Sequence, residues 1–210
     1  MKPLIVINLK TYQQGNDSLK LSKIIEQVDK NIIIGVQATD LFNISKNTKL
    51  KIYSQHVDSP EPGRNTGFIL PEAVKKNGAK GIFLNHSEHR VSLEEIKLVV
   101  NRCKELKLQT MIFAKDISEA KKIEKLKPDY VILEPAELIA GRISISESKP
   151  ELIKKIRKEL KCKFLVGAGI HSKEDVDVAV KLGASGVALS SAITTAKNPK
   201  QKLKELVYGK

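Results

Sequence analysis

Four short apolar runs each end in groups able to move protons or hold charge. Asn8 and Lys10 follow Leu4-Ile7, Gln55-His56 follow a run starting at Lys51, Asn85-His86 follow one starting at Gly81, and Glu134 closes one starting at Tyr130. A buried charge is costly unless paired, so a glutamate, a lysine and a histidine brought to one place are expected to hold shifted pKa values suited to acid and base work. A structural ion pair between Lys10 and a carboxylate is the plain alternative. Lys10 could also form a Schiff base with a carbonyl compound, as aldolases do. Two further segments suit an anion. Val166-Gly167-Ala168-Gly169-Ile170 precedes a helix expected to start near Ser172, and Leu189-Ser190-Ser191-Ala192 closes a later apolar run. Small residues there let backbone N–H groups approach a ligand closely. A metal site is not expected: His86 and His89 stand three apart, but His56 and His171 supply no His-x-His partner. No nucleotide fingerprint is present. Cofactor-free proton chemistry on a small phosphorylated compound fits these groups, with the Schiff-base reading open.

The elements that must position them alternate. Strand-like runs recur at Leu4-Asn8, Ile32-Val36, Lys51-Gln55, Gly81-Asn85, Gln109-Phe113, Tyr130-Glu134, Phe164-Gly167 and Gly186-Leu189. Between them lie helical stripes, such as Ile96, Val99, Val100, Cys103 and Leu106, or Ile117, Ala120, Ile123 and Leu126. Ser92 with Glu95 and Ser148 with Glu151 have capping-box spacing, Pro71 and Pro150 suit first helical turns, and Gly78 and Gly183 suit left-handed positions after helices. Alternation demands a parallel sheet with right-handed crossovers, and eight repeats suggest closure into a (β/α)8 barrel with outer helices. An open doubly wound sheet would usually place a glycine-rich phosphate loop after its first strand, where this chain has Asn8-Leu9-Lys10-Thr11-Tyr12. No linker divides the chain, so residues 1–210 are expected to form one domain. In a barrel the polar strand ends meet on one face, and the loops after strands seven and eight are the habitual phosphate site.

Composition narrows the function further. The 37 basic and 24 acidic residues give a net charge of +13, which invites a nucleic-acid reading. The distribution argues against it: Lys154, Lys155, Lys158 and Lys161 surround Ile153, Ile156 and Leu160 in the pattern of a solvated outer face. With no tryptophan and nine Tyr plus Phe, little is available to stack bases, and no nucleic-acid-binding signature occurs. Apolar runs fall far short of a membrane span, the N-terminus lacks the pattern of a secretory signal, and Cys103 and Cys162 offer no metal or disulfide framework. A cytoplasmic protein is expected, binding neither nucleic acid nor membrane.

Taken together, Asn8-Leu9-Lys10, Asn85-His86-Ser87-Glu88-His89-Arg90, Glu134-Pro135-Ala136-Glu137-Leu138-Ile139 and Val166-Gly167-Ala168-Gly169-Ile170 resemble the motifs of the triosephosphate isomerase family in its short archaeal form. The likeness runs in order along nearly the whole chain. Gln55-His56-Val57-Asp58, Asn65-Thr66-Gly67 and Leu70-Pro71-Glu72-Ala73 resemble that family's third loop, which reaches toward a neighbouring subunit. The resemblance implies a TIM barrel that interconverts dihydroxyacetone phosphate and D-glyceraldehyde 3-phosphate without a cofactor or metal. By the same resemblance Glu134 is the base, His86 the electrophile, Lys10 the stabiliser of the enediolate and Asn8 its positioner. The family is itself the standard example of a neutral histidine, its pKa lowered by a helix N-terminus, working beside a glutamate base; Ser87-Glu88 could begin such a turn. Phosphate would be held at Ile139, Ala140, Gly169, Ser190 and Ser191, with residues 135–142 as a lid that excludes water. Three departures stand out: Ala140-Gly141-Arg142 at a hinge that is usually glycine-rich, Ala192 for a common glycine, and Phe113 where many relatives carry cysteine. An epimerase or aldolase on the same scaffold, or a non-catalytic basic barrel, are the competing classes. Because 210 residues must close eight strands with short or missing outer helices, apolar surface should remain for self-association. The resemblance favours a homotetramer over a dimer.

Overall fold

The computed structural model describes residues 3–134 and 150–209. Strands and helices alternate along the chain: β1 Leu4–Asn8, α1 Gly15–Val28, β2 Ile33–Val36, α2 Ala38–Asn47, β3 Lys51–Ser54, α3 Pro71–Lys76, β4 Gly81–Leu84 and α4 Leu93–Glu105. They continue through β5 Gln109–Ala114, α5 Ile117–Glu124, β6 Tyr130–Leu133, α6 Pro150–Glu159, β7 Phe164–Val166, α7 Lys173–Lys181 and β8 Gly186–Leu189 to α8 Ser191–Thr194 and α9 Pro199–Tyr208. Every strand pairs in parallel with its sequence neighbours, and β1 closes the ring on β8 through Leu4↔Gly186 to Ile7↔Leu189. The eight-stranded (β/α)8 barrel expected from the alternation is therefore closed.

Apolar residues occupy both strand faces because both are covered. Val6, Ile33, Tyr53, Phe83, Met111, Phe113, Ile132, Leu165 and Ala188 pack inside the barrel. Ile5, Ile7, Ile34, Ile52 and their counterparts pack outward against helical stripes that include Ile25, Ile44, Val99, Val100 and Ile123. Gly35 makes room for the Phe83 ring: a Cβ there would lie 2.0 Å from it. At the floor the buried Tyr53 hydroxyl donates to Gln109 Oε1 at 2.6 Å, a bond between uncharged groups.

Helix boundaries follow the local signals with one change. Pro71 and Pro150 open α3 and α6, and Gly78 and Gly183 take φ of 101° and 105°. Ser92 caps α4 by accepting from Glu95 N–H at 3.1 Å, yet the capping box is only half made. The Glu95 carboxylate instead accepts from the Ser59 N–H and hydroxyl, both at 2.8 Å, tying the third loop to α4. The reciprocal box forms at Ser172 and Asp175. Ser148 lies outside the described residues. On α6, Ile153 and Ile156 are buried while Lys154, Lys155 and Lys158 are exposed, as the charge pattern required. The outer layer is uneven, with 13 residues in α4 and 8 in α5. Among the described residues, no helix is long and apolar enough to cross a membrane.

Candidate active site

Strand ends deliver the polar groups to one mouth, and two of them turn through strained backbone to do so. Lys10 has φ of 48° and Asn85 has φ of 63°, in the left-handed region that L-residues enter at a cost. Side chains hold both turns. Asn8 Oδ1 accepts from the Lys10 N–H at 3.0 Å, and Gln55 Nε2 donates to the carbonyls of Lys10 at 2.9 Å and Gly35 at 3.1 Å. The Lys10 ammonium then meets Glu88 Oε1 at 2.6 Å. The ion-pair partner posed as an alternative for Lys10 is thus Glu88, 61% exposed, on the rim.

His86 is buried two residues past β4, its ring in a T-shaped pair with Phe113 at 4.7 Å between centroids. The Glu88 N–H donates to His86 Nδ1 at 3.1 Å, which makes Nδ1 the acceptor and assigns the ring proton to Nε2. Nε2 lies 3.5 Å from Glu134 Oε2. Burial, reinforced by the charge of Lys10, lowers the imidazole pKa to about 4, so the ring is neutral at physiological pH. The turn after His86 is a single tight one, closed by the His89 N–H on the His86 carbonyl at 2.9 Å, and no helix begins at Ser87. The lowered pKa expected from a helix N-terminus therefore has another cause, dehydration with a neighbouring cation.

Glu134 is the first residue past β6 and points inward, its side chain 14% exposed. Burial pushes its carboxyl up to about 7, against the opposing pull of Lys10 and of the Ser87 hydroxyl, which donates to Oε2 at 3.4 Å. Gly167, after β7, makes this placement possible: a Cβ there would fall 2.7 Å from Glu134 Cγ. Within the segment expected to approach an anion, Gly167 therefore lies against the carboxylate, and Gly169 is the glycine expected at the phosphate. Across the mouth, Gly169 takes φ of 70°, the Ser190 hydroxyl is buried without a hydrogen-bond partner among the described residues, and Ser191 opens α8.

Asn8, Lys10, His86, Glu134, Gly169, Ser190 and Ser191 thus share one pocket of about 400 Å³. Ile139, Ala140 and the lid at 135–142 lie outside the described residues. Ala192 also lines this pocket, as does Phe113, which places an aromatic ring against the imidazole where a cysteine was noted as common. Sequence reasoning gave Ser87 and Glu88 no role beyond opening a helical turn after His86, and gave none to Gln55, whose position after β3 was noted. His56 and His89 stack on each other at 4.2 Å, with His56 Nε2 3.0 Å from Asp58, and neither lines the pocket. Among the described residues, no group of three or more histidines, cysteines and carboxylates could hold a metal ion.

A carboxyl poised near 7, a neutral imidazole presenting N–H and an ammonium converge beside a small-residue cradle at the carboxyl ends of barrel strands. These features define a barrel enzyme of the proton-transfer class. The triosephosphate isomerase family model matches residues 3–207, and the chain belongs to that family. It is 43% identical over 217 aligned positions to triosephosphate isomerase of Methanocaldococcus jannaschii, covering 97% of this chain and 98% of that protein. With triosephosphate isomerase of Sulfolobus acidocaldarius the identity is 40%, covering 98% and 94%. The barrel also superposes on the crystal structure of triosephosphate isomerase from Bartonella henselae with a TM-score of 0.77, over 100% of both chains, at 18% identity. The archaeal character of the sequence relatives agrees with the short form that the motifs resembled.

Proposed function

We propose that Glu134, His86 and Lys10, with Asn8 as positioner, carry out the family's reaction, the interconversion of dihydroxyacetone phosphate and D-glyceraldehyde 3-phosphate. Glu134 removes a proton from the hydroxyl-bearing carbon beside the carbonyl. The C–H electron pair becomes the C=C bond of an enediolate, and the carbonyl electrons move onto oxygen. Nε2–H of the neutral His86 and the Lys10 ammonium stabilise that oxygen, placed ready before charge develops. His86 transfers protons between the two oxygens, and Glu134 returns its proton to the adjacent carbon, so the reaction is redox-neutral and needs no cofactor. The observation that carries this reading is the pairing of a buried Glu134, its carboxyl pushed up to about 7, with a neutral His86 at 3.5 Å.

Backbone at Gly169, Ser190 and Ser191, with Ile139 and Ala140 from the lid, is assigned to the phosphate. The 1–210 chain acts as one domain, in the cytoplasm, and self-associates as a homotetramer in preference to a dimer. Exposed Phe68 on the third loop and Leu93 and Leu98 on α4 support self-association. Light scattering in moderate salt should give a multiple of 23.3 kDa, and a fully active monomer would overturn the assembly.

A coupled assay with dihydroxyacetone phosphate, free of added metal and nucleotide, tests the reaction. Turnover should fall by ~10³-fold in Glu134→Ala and ~10²-fold in Lys10→Met, both folded. Full activity in Glu134→Ala, or a borohydride-trapped adduct on Lys10, would defeat the assignment.

A further inference from the structure

His86 owes its position to Asn85, and Asn85 is an unusual support. It is 1% exposed and holds φ of 63° although it is not glycine. Such strain persists only where the surroundings over-determine it. Here its amide Nδ2 donates to the Phe113 carbonyl at 2.9 Å and to Glu119 Oε1 at 3.2 Å, while its Oδ1 accepts from the Val91 N–H at 3.2 Å. Arg90 Nη1 donates to the Asn85 carbonyl at 3.1 Å. That guanidinium is itself held by Glu119, at 3.3 and 3.1 Å from its two oxygens. Finally, the Lys115 N–H, at the exit of β5, donates to Glu119 Oε2 at 2.7 Å.

We infer that Glu119, in the first turn of α5, is a positioning residue for the reaction: its carboxylate gathers donors from the exits of β4 and β5 and so fixes Asn85, and with it the His86 ring. The inference rests on the role proposed for His86. Glu119 does not line the catalytic pocket, and its partners Asn85, Arg90 and Lys115 are all donors. An ionised carboxylate is acceptor-only and satisfies all of them; an amide must turn an NH2 against one. With its side chain 25% exposed, Glu119 adds little to global stability, because water can replace it. Geometry is more demanding, since misplacing a catalytic group by about 1 Å can cost ~10²-fold in rate.

The test is a double-mutant cycle. Glu119→Gln should lower kcat ~10-fold or more and leave KM within about twofold, with an unchanged far-ultraviolet spectrum and thermal midpoint. Glu119→Asp, which keeps the charge, should recover part of the loss, and it serves for the same readouts if the amide variant fails to fold. In an Asn85→Gly background the left-handed turn no longer needs enforcement, so adding Glu119→Gln should lower kcat less than about threefold. Wild-type kcat in both Glu119 variants, a loss confined to KM, or the same kcat loss in both backgrounds would overturn the inference. His86→Gln, measured in parallel, separates the two readings. If His86→Gln is inactive while the cycle shows no coupling, only the positioning role fails; if it keeps full turnover, the role of His86 fails first.

Discussion

The floor and the mouth of the barrel bury polar groups in opposite ways. At the floor the Tyr53 hydroxyl reaches Gln109 at 2.6 Å, both partners are uncharged, and the aromatic rings of Tyr53 and Phe83 fill the space above at 5.7 Å. At the mouth, among the described residues, Glu134 has long contacts, 3.4 Å to Ser87 and 3.5 Å to His86, and the Ser190 hydroxyl has no hydrogen-bond partner. Among the described residues, two of the four non-glycine positions with positive φ, Lys10 and Asn85, stand at the mouth, and the other two, Lys107 and Lys127, lie in turns that lead into β5 and β6. A fold that sought stability alone would finish its mouth as it finishes its floor. The loosely held carboxylate, neutral imidazole and buried serine hydroxyl are what a substrate with a carbonyl and a phosphate would complete.

The largest contrast should come from neutralising the mouth. Glu134 is raised from 4.5 to about 7, so the folded state binds more protons than the unfolded state between those values. Its contribution to stability is fully present below pH 4.5 and is lost as pH rises through 7, reaching a cost of about 3 kcal/mol at pH 8. Glu134→Gln should therefore abolish turnover by ~10³-fold and raise the thermal midpoint at pH 8. At pH 4.5 the gain should disappear. His86 works the other way: lowered from 6.5 to about 4, it gives stability present above 6.5 and lost as pH falls toward 4. In the Glu134→Gln protein this opposing acid slope should emerge in calorimetric scans.

Crowding the mouth should have a smaller effect. Gly167→Ala places a methyl 2.7 Å from Glu134 Cγ and 2.9 Å from Ile132 Cγ2, so the carboxylate must shift. A fall in kcat of ~30-fold, with KM nearly constant, is expected from such a displacement. Unchanged kinetics would show that the base tolerates another position. The smallest effect should come from the floor. Tyr53→Phe keeps the ring and removes one hydrogen bond, so urea unfolding should show a loss of about 1 kcal/mol with turnover unchanged.

Much of this contrast was legible in the sequence, and unevenly. The strands were evident because each is a short β-rich run bounded by turn residues, and polar Asn8, His86 and Glu134 announced the mouth by following apolar runs directly. The half-made cap at Ser92 was not readable, because Glu95 is drawn away by Ser59, 36 positions earlier in the chain. That Gly167 lies against Glu134 was not readable, because spacing does not reveal which glycine of Gly167-Ala168-Gly169 faces the carboxylate. Glu119 carried no signal at all. Asn85 and Arg90 reach it from the exit of β4, about thirty positions earlier, and only the pairing of β4 with β5 brings them to the Lys115 turn.

The central claim is that a single dehydrated mouth pushes the two ionisable partners apart, leaving Glu134 a base near neutrality and His86 an uncharged donor. Site-specific NMR titration of the ligand-free protein, following the Glu134 carboxyl carbon and the His86 ring nitrogens, tests it most directly. The account predicts an apparent pKa of about 7 for Glu134 and an imidazole that stays neutral, protonated at Nε2 alone, until about 4. A carboxyl titrating near 4.5, or a ring that gains its second proton near 6.5, would contradict it.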